Sequence, residues 1–192
     1  MNNLFRFLLL VSLTSPALAM PVFVQCFDFG CKTTQEIHYS AEDWEAVRAE
    51  FDGVTDAASE KQAIRRAVAR MEAISGRISG THQDRGGNYP GSDIPQQMDC
   101  IDESTNTYQY LGALQELNLL RWHEPGIKHK RQSWIFEHWS ATIRELDSGE
   151  ILVVDSWFLD NGELPYLQRL GDWHDRDDFP VDYNPELAVN SP

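Results

Sequence analysis

Three side chains in this sequence, Cys100, His138 and Asp155, are of the types that together attack an acyl carbon. A thiol becomes a strong nucleophile once it loses its proton. An imidazole can take that proton and later return it to a leaving group, and a carboxylate can hold the imidazole in one tautomer. Cys100 stands in Asp99-Cys100-Ile101-Asp102-Glu103, just where an apolar period of three and four begins, so it opens a helix. Backbone N–H groups and the helix dipole favour thiolate there. Asp99, Asp102 and Glu103 surround the thiol with negative charge and push its pKa the other way.

His138 lies in Glu137-His138-Trp139-Ser140-Ala141-Thr142-Ile143, and Asp155 in Val153-Val154-Asp155-Ser156-Trp157. Both stretches alternate as strands do, and a charge among apolar strand residues requires a partner. Asp147-Ser148-Gly149-Glu150 between them reads as a turn, which makes the pair an antiparallel hairpin. A turn centred on Ser148-Gly149 sets Asp155 opposite Thr142, four residues along from His138. That separation is roughly 13 Å at 3.3 Å per residue, beyond hydrogen-bond reach.

The remaining cysteines concern the compartment. Cys26 and Cys31 are five apart with Gly30 between them, and can close a small disulfide loop. Cys100 is then the odd thiol of three. Residues 1–19 read as a secretory signal peptide: Arg6 is the only charge, Phe7 to Leu13 are apolar, and Ala17-Leu18-Ala19 ends in small residues suited to cleavage. The apolar run is too short to span a bilayer, which needs about 20 residues, so no membrane span is expected after cleavage. An oxidising compartment, periplasmic or secreted, would let Cys26 and Cys31 pair. A net charge of −14 argues against nucleic acid and anionic membranes as partners, because both would repel the chain.

The elements that must position the three residues can be placed coarsely. Residues 20–171 read as a single α+β domain, and 172–192 as a loosely held acidic tail containing proline. Ser40 caps a helix running to Phe51, with Trp44, Val47 and Phe51 on one face. A second helix runs from Ser59 to Ser75 and stops at Gly76, with Ala63, Ile64, Ala67, Val68, Met71 and Ile74 as its core stripe. Residues 76–97 form a long Gly-rich loop, whose Arg85-Gly86-Gly87-Asn88 lacks the strand and Gly-Lys of a phosphate cradle. His82 and Asp84 alone make no metal site. The Cys100 helix extends to Leu119, residues 123–132 form a polar connection, and strands cover Ser133 to Leu146 and Ile151 to Phe158.

The series of a helix-opening cysteine, a strand histidine and an aspartate on the next strand resembles the transglutaminase-like cysteine hydrolase superfamily, related in chemistry to papain-like proteases. The resemblance covers Asp99 to Trp157. It implies an α+β fold in which the N-terminal helices and the Cys100 helix pack on an antiparallel sheet. It also implies catalytic roles for Cys100, His138 and Asp155, and Asp102 matches an acid commonly found two residues after the cysteine. Gln97 and Gln96 fall near the position where papain-like enzymes place an oxyanion glutamine. Asp102, Trp139 and Trp157 would then line the cleft. NlpC-like cell-wall peptidases are similar in their Asp-Cys helix start. They usually continue with Ser-Gly, where this chain has Ile101-Asp102, and commonly use a second histidine where it has Asp155.

The sequence therefore leads to an exported cysteine-dependent hydrolase or acyltransferase acting on amide bonds of a peptide, protein or cell-wall peptide. It calls for no cofactor and no metal. The competing expectation is a catalytically silent periplasmic binding or assembly module of the same fold.

Overall fold

The computed structural model describes residues 20–88, 95–133 and 136–175. The expected leader, residues 176–192 of the expected tail, and Trp134 and Ile135 lie outside these residues. In chain order come β1 (Phe23–Phe27), β2 (Thr33–Ile37), α1 (Ala41–Ala49), α2 (Ala57–Ser79), α3 (Cys100–Glu116), β3 (His123–Pro125), β4 (His129–Ser133), β5 (Phe136–Glu145), β6 (Ile151–Asp155), β7 (Tyr166–Arg169) and α4 (Leu170–His174). The architecture is α+β, with every strand pair antiparallel.

The helices start where their caps dictate. Ser40 and Asp43 form a reciprocal capping box at α1, Asp56 and Ser59 do so at α2, and Asp99 and Asp102 at α3. α2 runs through Gly76 and ends at Gly80, whose φ of +93° supplies the left-handed stop. Gly76 is a packing glycine instead, since a Cβ there would meet Asn161 Oδ1 at 2.6 Å. The core joins Trp44 and Val47 of α1 to the expected stripe of α2, to Tyr110, Leu111 and Leu114 of α3, and to Ala141, Ile143, Leu152, Val154 and Leu167 of the sheet. α3 is thus buried between α2 and β5, which fixes the place of its first residue, Cys100.

The β1–β2 hairpin docks on α3 through amide side chains that stand in for a missing strand. Asn106 accepts from Cys26 N at 2.8 Å and donates to Cys26 O at 2.9 Å. Gln109 does the same for Val24 at 2.9 and 2.6 Å.

In the main sheet, β3 and β4 follow one edge of β5, β6 follows the other, and β7 lies outside β6. The register of β3 on β5 pairs Pro125 with Ile143, whereas that of β4 pairs His129 with Ser140. The two registers differ by one residue, so Ile127 and Lys128 together face Ala141 as a β-bulge. Residues 123–132, expected as a polar connection, therefore supply two strands. Their charged residues hide the alternation, because the outer edge of β4 has no strand partner among the described residues.

The domain boundary expected at residue 172 falls inside α4. Trp173 is 1% exposed, so the folded domain extends at least to Asp175. A short helix in an acidic stretch carries no apolar period, and long-range contacts hold it: the buried indole and the Arg131 hydrogen bond to Trp173 O.

Candidate active site

The turn between β5 and β6 decides whether His138 and Asp155 meet. Glu145 N donates to Glu150 O at 2.9 Å and Gly149 N to Glu145 O at 2.9 Å, with Gly149 at φ +72°. The loop is therefore Leu146–Gly149, centred on Asp147-Ser148, one position earlier than expected. Ala141 then pairs with Val154, and Asp155 faces Ser140. The offset from His138 is two residues rather than four, on the same face of the sheet, which is within diagonal reach. His138 Nε2 lies 2.6 Å from Asp155 Oδ2.

This pair is enclosed. Asp155 is 2% exposed and also accepts the indole N–H of Trp173 at 2.9 Å. The His138 ring centroid lies 4.9 Å from those of Trp157 and Phe158 and 5.6 Å from that of Trp173. The Arg131 guanidinium lies 4.9 Å from the Trp173 ring centre, and Arg131 donates to Trp173 O at 2.8 Å. With Asp155 on Nε2, the carboxylate selects the Nε2–H tautomer and leaves a lone pair on Nδ1. Nδ1 is buried and has no hydrogen-bond partner among the described residues.

Cys100 opens α3 as expected. Its Sγ lies 3.7 Å from Glu137 O and receives the Trp139 N–H, so it sits against the backbone on both sides of His138. The thiol donates to that carbonyl rather than to the imidazole. Burial pushes its pKa up to about 11; the Trp139 N–H pulls down, while Asp99 and Asp155 push up further. Asp99 also uses its carboxylate on the N–H groups of Ile101 and Asp102, which takes up donors of the helix terminus. The resting site therefore holds a neutral thiol.

The other expected site residues are held elsewhere. Gln97 Nε2 donates to Gln83 O at 3.1 Å, and its Oε1 accepts from Arg85 N at 3.1 Å and from Asn88 Nδ2. Gln96 Nε2 donates to Ser79 O at 3.1 Å. These contacts tie Gln97 to the loop after α2 and Gln96 to the last residue of α2. Asp102 is fully buried and lines no cleft: it accepts from Phe29 N at 2.9 Å and Cys31 N at 2.5 Å. Those donors belong to Asp28–Cys31, four successive residues at positive φ, closed by the Cys26–Cys31 disulfide. Trp157 is buried against His138, and its indole donates to Asn88 O at 3.1 Å. Trp139 is half-buried beside Lys128 and Lys130.

The Gly-rich loop supports this wall. Gly87 N donates to Trp157 O at 2.7 Å, and a Cβ on Gly86 would meet Phe158 O at 2.3 Å. Behind the site, Glu72, Asp84 and Glu103 are buried. Burial drives Glu72 and Asp84 up to about 7 each, and Glu103 well above the usual carboxylate range; the charge of Asp84 adds to Glu72, that of Asp102 to Asp84, and that of Glu72 and Asp84 to Glu103. Glu72 is partly compensated by Ser156 and by Gly162 N. Sequence reading missed Trp173, Phe158, Lys128 and these acids; an acid at a core-spaced helix position, as at Glu72, was the one local signal.

Among the described residues, no helix is long and apolar enough to cross a membrane. Comparison with protein-family models, curated proteins and solved structures finds no match for this chain.

Proposed function

We propose that this chain is an exported cysteine-dependent hydrolase or acyltransferase with a transglutaminase-like fold, acting on amide bonds of peptide or cell-wall substrates. The observation that carries this reading is the enclosed His138–Asp155 pair, with its free Nδ1, beside the backbone seat of Cys100. In it, Cys100 Sγ leaves the Glu137 carbonyl and forms a bond to the acyl carbon as its proton passes to His138 Nδ1. His138 then gives that proton to the departing amine. Water, or an acceptor amine, attacks the thioester with His138 again taking the proton, and the thiol is restored. Asp155 holds the imidazole throughout and stabilises its charged form. Because the resting thiol is neutral, the base must act during attack rather than through a preformed ion pair.

The test is acylation by p-nitrophenyl acetate. The expected result is a burst of p-nitrophenol stoichiometric with protein and an acetyl group on Cys100, lost in H138A. A chain that is not acylated, or is acylated equally in H138A, overturns the reading. A second reading, a silent periplasmic binding or assembly module, draws on the thiol pKa of about 11 and its hydrogen bond to Glu137 O. It expects C100S to leave partner binding intact.

A further inference from the structure

The bulge between β3 and β4 changes which side chains accompany Cys100. On β3 the residues paired with Ile143 and Glu145 are the odd-numbered Pro125 and His123. On β4 the residue paired with Trp139 is the even-numbered Lys130. The extra residue thus turns Lys128 and Lys130 onto the face of the sheet that α3 covers, where an unbulged strand would turn them away. Bulges commonly re-aim a side chain in this way beside a site.

Lys128 Nζ reaches Thr105 Oγ1 of α3 at 2.7 Å and lies 5.9 Å from the centre of the Trp139 ring. It is half-buried and within electrostatic reach of the Cys100 thiol. Lys130 is neutralised by Glu137 at 2.8 Å, whereas Lys128 has no carboxylate partner among the described residues. Ile101 and Tyr108, 39% and 45% exposed, stand on α3 in line with Thr105. A half-buried ammonium without a carboxylate partner among the described residues, beside a Trp ring and on a helix face that exposes Ile101 and Tyr108, is suited to an anionic group on an otherwise apolar ligand. A net charge of −14 repels polyanions at long range, so one carboxylate at short range fits better than a charged polymer.

We propose that Lys128, held by the bulge, is the anchor for a substrate carboxylate lying within a few atoms of the bond that Cys100 attacks. The substrate class is then an acidic peptide or amide, its carboxylate supplied by a side chain or by a chain terminus. This rests on Cys100 being the nucleophile.

Cys100 is the free cysteine of the chain, so its alkylation reads the local charge directly. Iodoacetate and iodoacetamide share a leaving group and differ in charge. At low salt the ratio of their rates at Cys100 should exceed the ratio for N-acetylcysteine by about tenfold. It should fall to or below the N-acetylcysteine value in K128Q and return in K128R, with an unchanged urea unfolding midpoint of K128Q as the check on folding. A wild-type ratio equal to that of N-acetylcysteine, or one that K128Q leaves unchanged, overturns the proposal. In a second arm, N-acetylalanine, N-acetylglutamate α-amide and the neutral N-acetylglutamine α-amide are compared as protectants against iodoacetamide. Protection by the first identifies a terminal carboxylate and by the second a side-chain one. Equal protection by the neutral compound, or none by either acid, overturns the proposal. The ratio can be measured on any accessible thiol, so loss of the His138 dependence would defeat the catalytic reading without altering this result.

Discussion

Asp155 Oδ2 accepts the Nε2–H of His138 at 2.6 Å and the indole N–H of Trp173 at 2.9 Å. The two donors approach from different elements, β5 and α4, and together hold a carboxylate out of water. The same geometry leaves the lone pair of His138 on Nδ1. D155A removes the acceptor that fixes the imidazole proton on Nε2. Nitrogen NMR of labelled histidine should show the Nε2–H form of His138 in the wild type, with its proton moved downfield by the carboxylate, and that shift should be lost in D155A. Acylation of Cys100 should slow by roughly 10²–10⁴-fold. An Nδ1–H form in the wild type would contradict the assignment.

Trp173 contributes packing and one charge-assisted hydrogen bond. W173F keeps most of the packing and leaves Asp155 one donor short, at a cost of about 1–3 kcal/mol. W173A should lose about 3–5 kcal/mol. Urea unfolding measures both, and equal stability of the two variants would show that the indole is not held as described.

The Cys26–Cys31 loop places two N–H groups on Asp102, at the third position of the Cys100 helix. Opening the bridge frees four residues from positive φ, which non-glycine residues adopt at a cost. In the chain-entropy account a loop this short contributes about 2 kcal/mol. Reduction, or the C26S/C31S double variant, should lower the urea midpoint by a corresponding amount. An unchanged midpoint would contradict the coupling.

The buried acids give an unusual pH dependence. The folded pKa of Glu72 is raised from 4.5 to about 7, and that of Asp84 from 3.8 to about 7. The folded chain therefore binds more protons than the unfolded chain across that window. Stability should be full below it and fall as pH rises to about 7. Asp43 and Glu60 are shifted down, the latter by hydrogen bonds from His123 and the backbone of Arg121 that outweigh its burial, so their stabilisation is lost at low pH instead. Maximum stability should lie near pH 5, and E72Q should flatten the decline between pH 5 and 8. A urea midpoint that rises from pH 5 to 8 would contradict this.

Local signals carried part of the site. Asp99 and Asp102 fixed the start of α3, and Cys26, Gly30 and Cys31 announced the loop they close. His138 and Asp155 stood on strands that alternation could identify. The register between them could not be read, because Ser148-Gly149 attracts the turn centre while hydrogen bonds across Glu145 and Glu150 place it one position earlier. β4 was hidden by its run of charges, and Trp173 by an acidic setting in which the partners of the indole, Asp155, His138 and Arg131, all lie far off in sequence. The use of Asp102 could not be read either, since its donors lie about seventy residues away in sequence.

The proposed role of His138 as base to Cys100 is tested most directly by the rate of Cys100 alkylation by iodoacetamide from pH 5 to 11, in the wild type and in H138A. With His138 acting as base, the wild type should react about 100-fold faster than H138A near pH 7, and the two should converge at high pH where the thiol ionises unaided. Superimposable profiles, both rising toward a midpoint near 11, would contradict it.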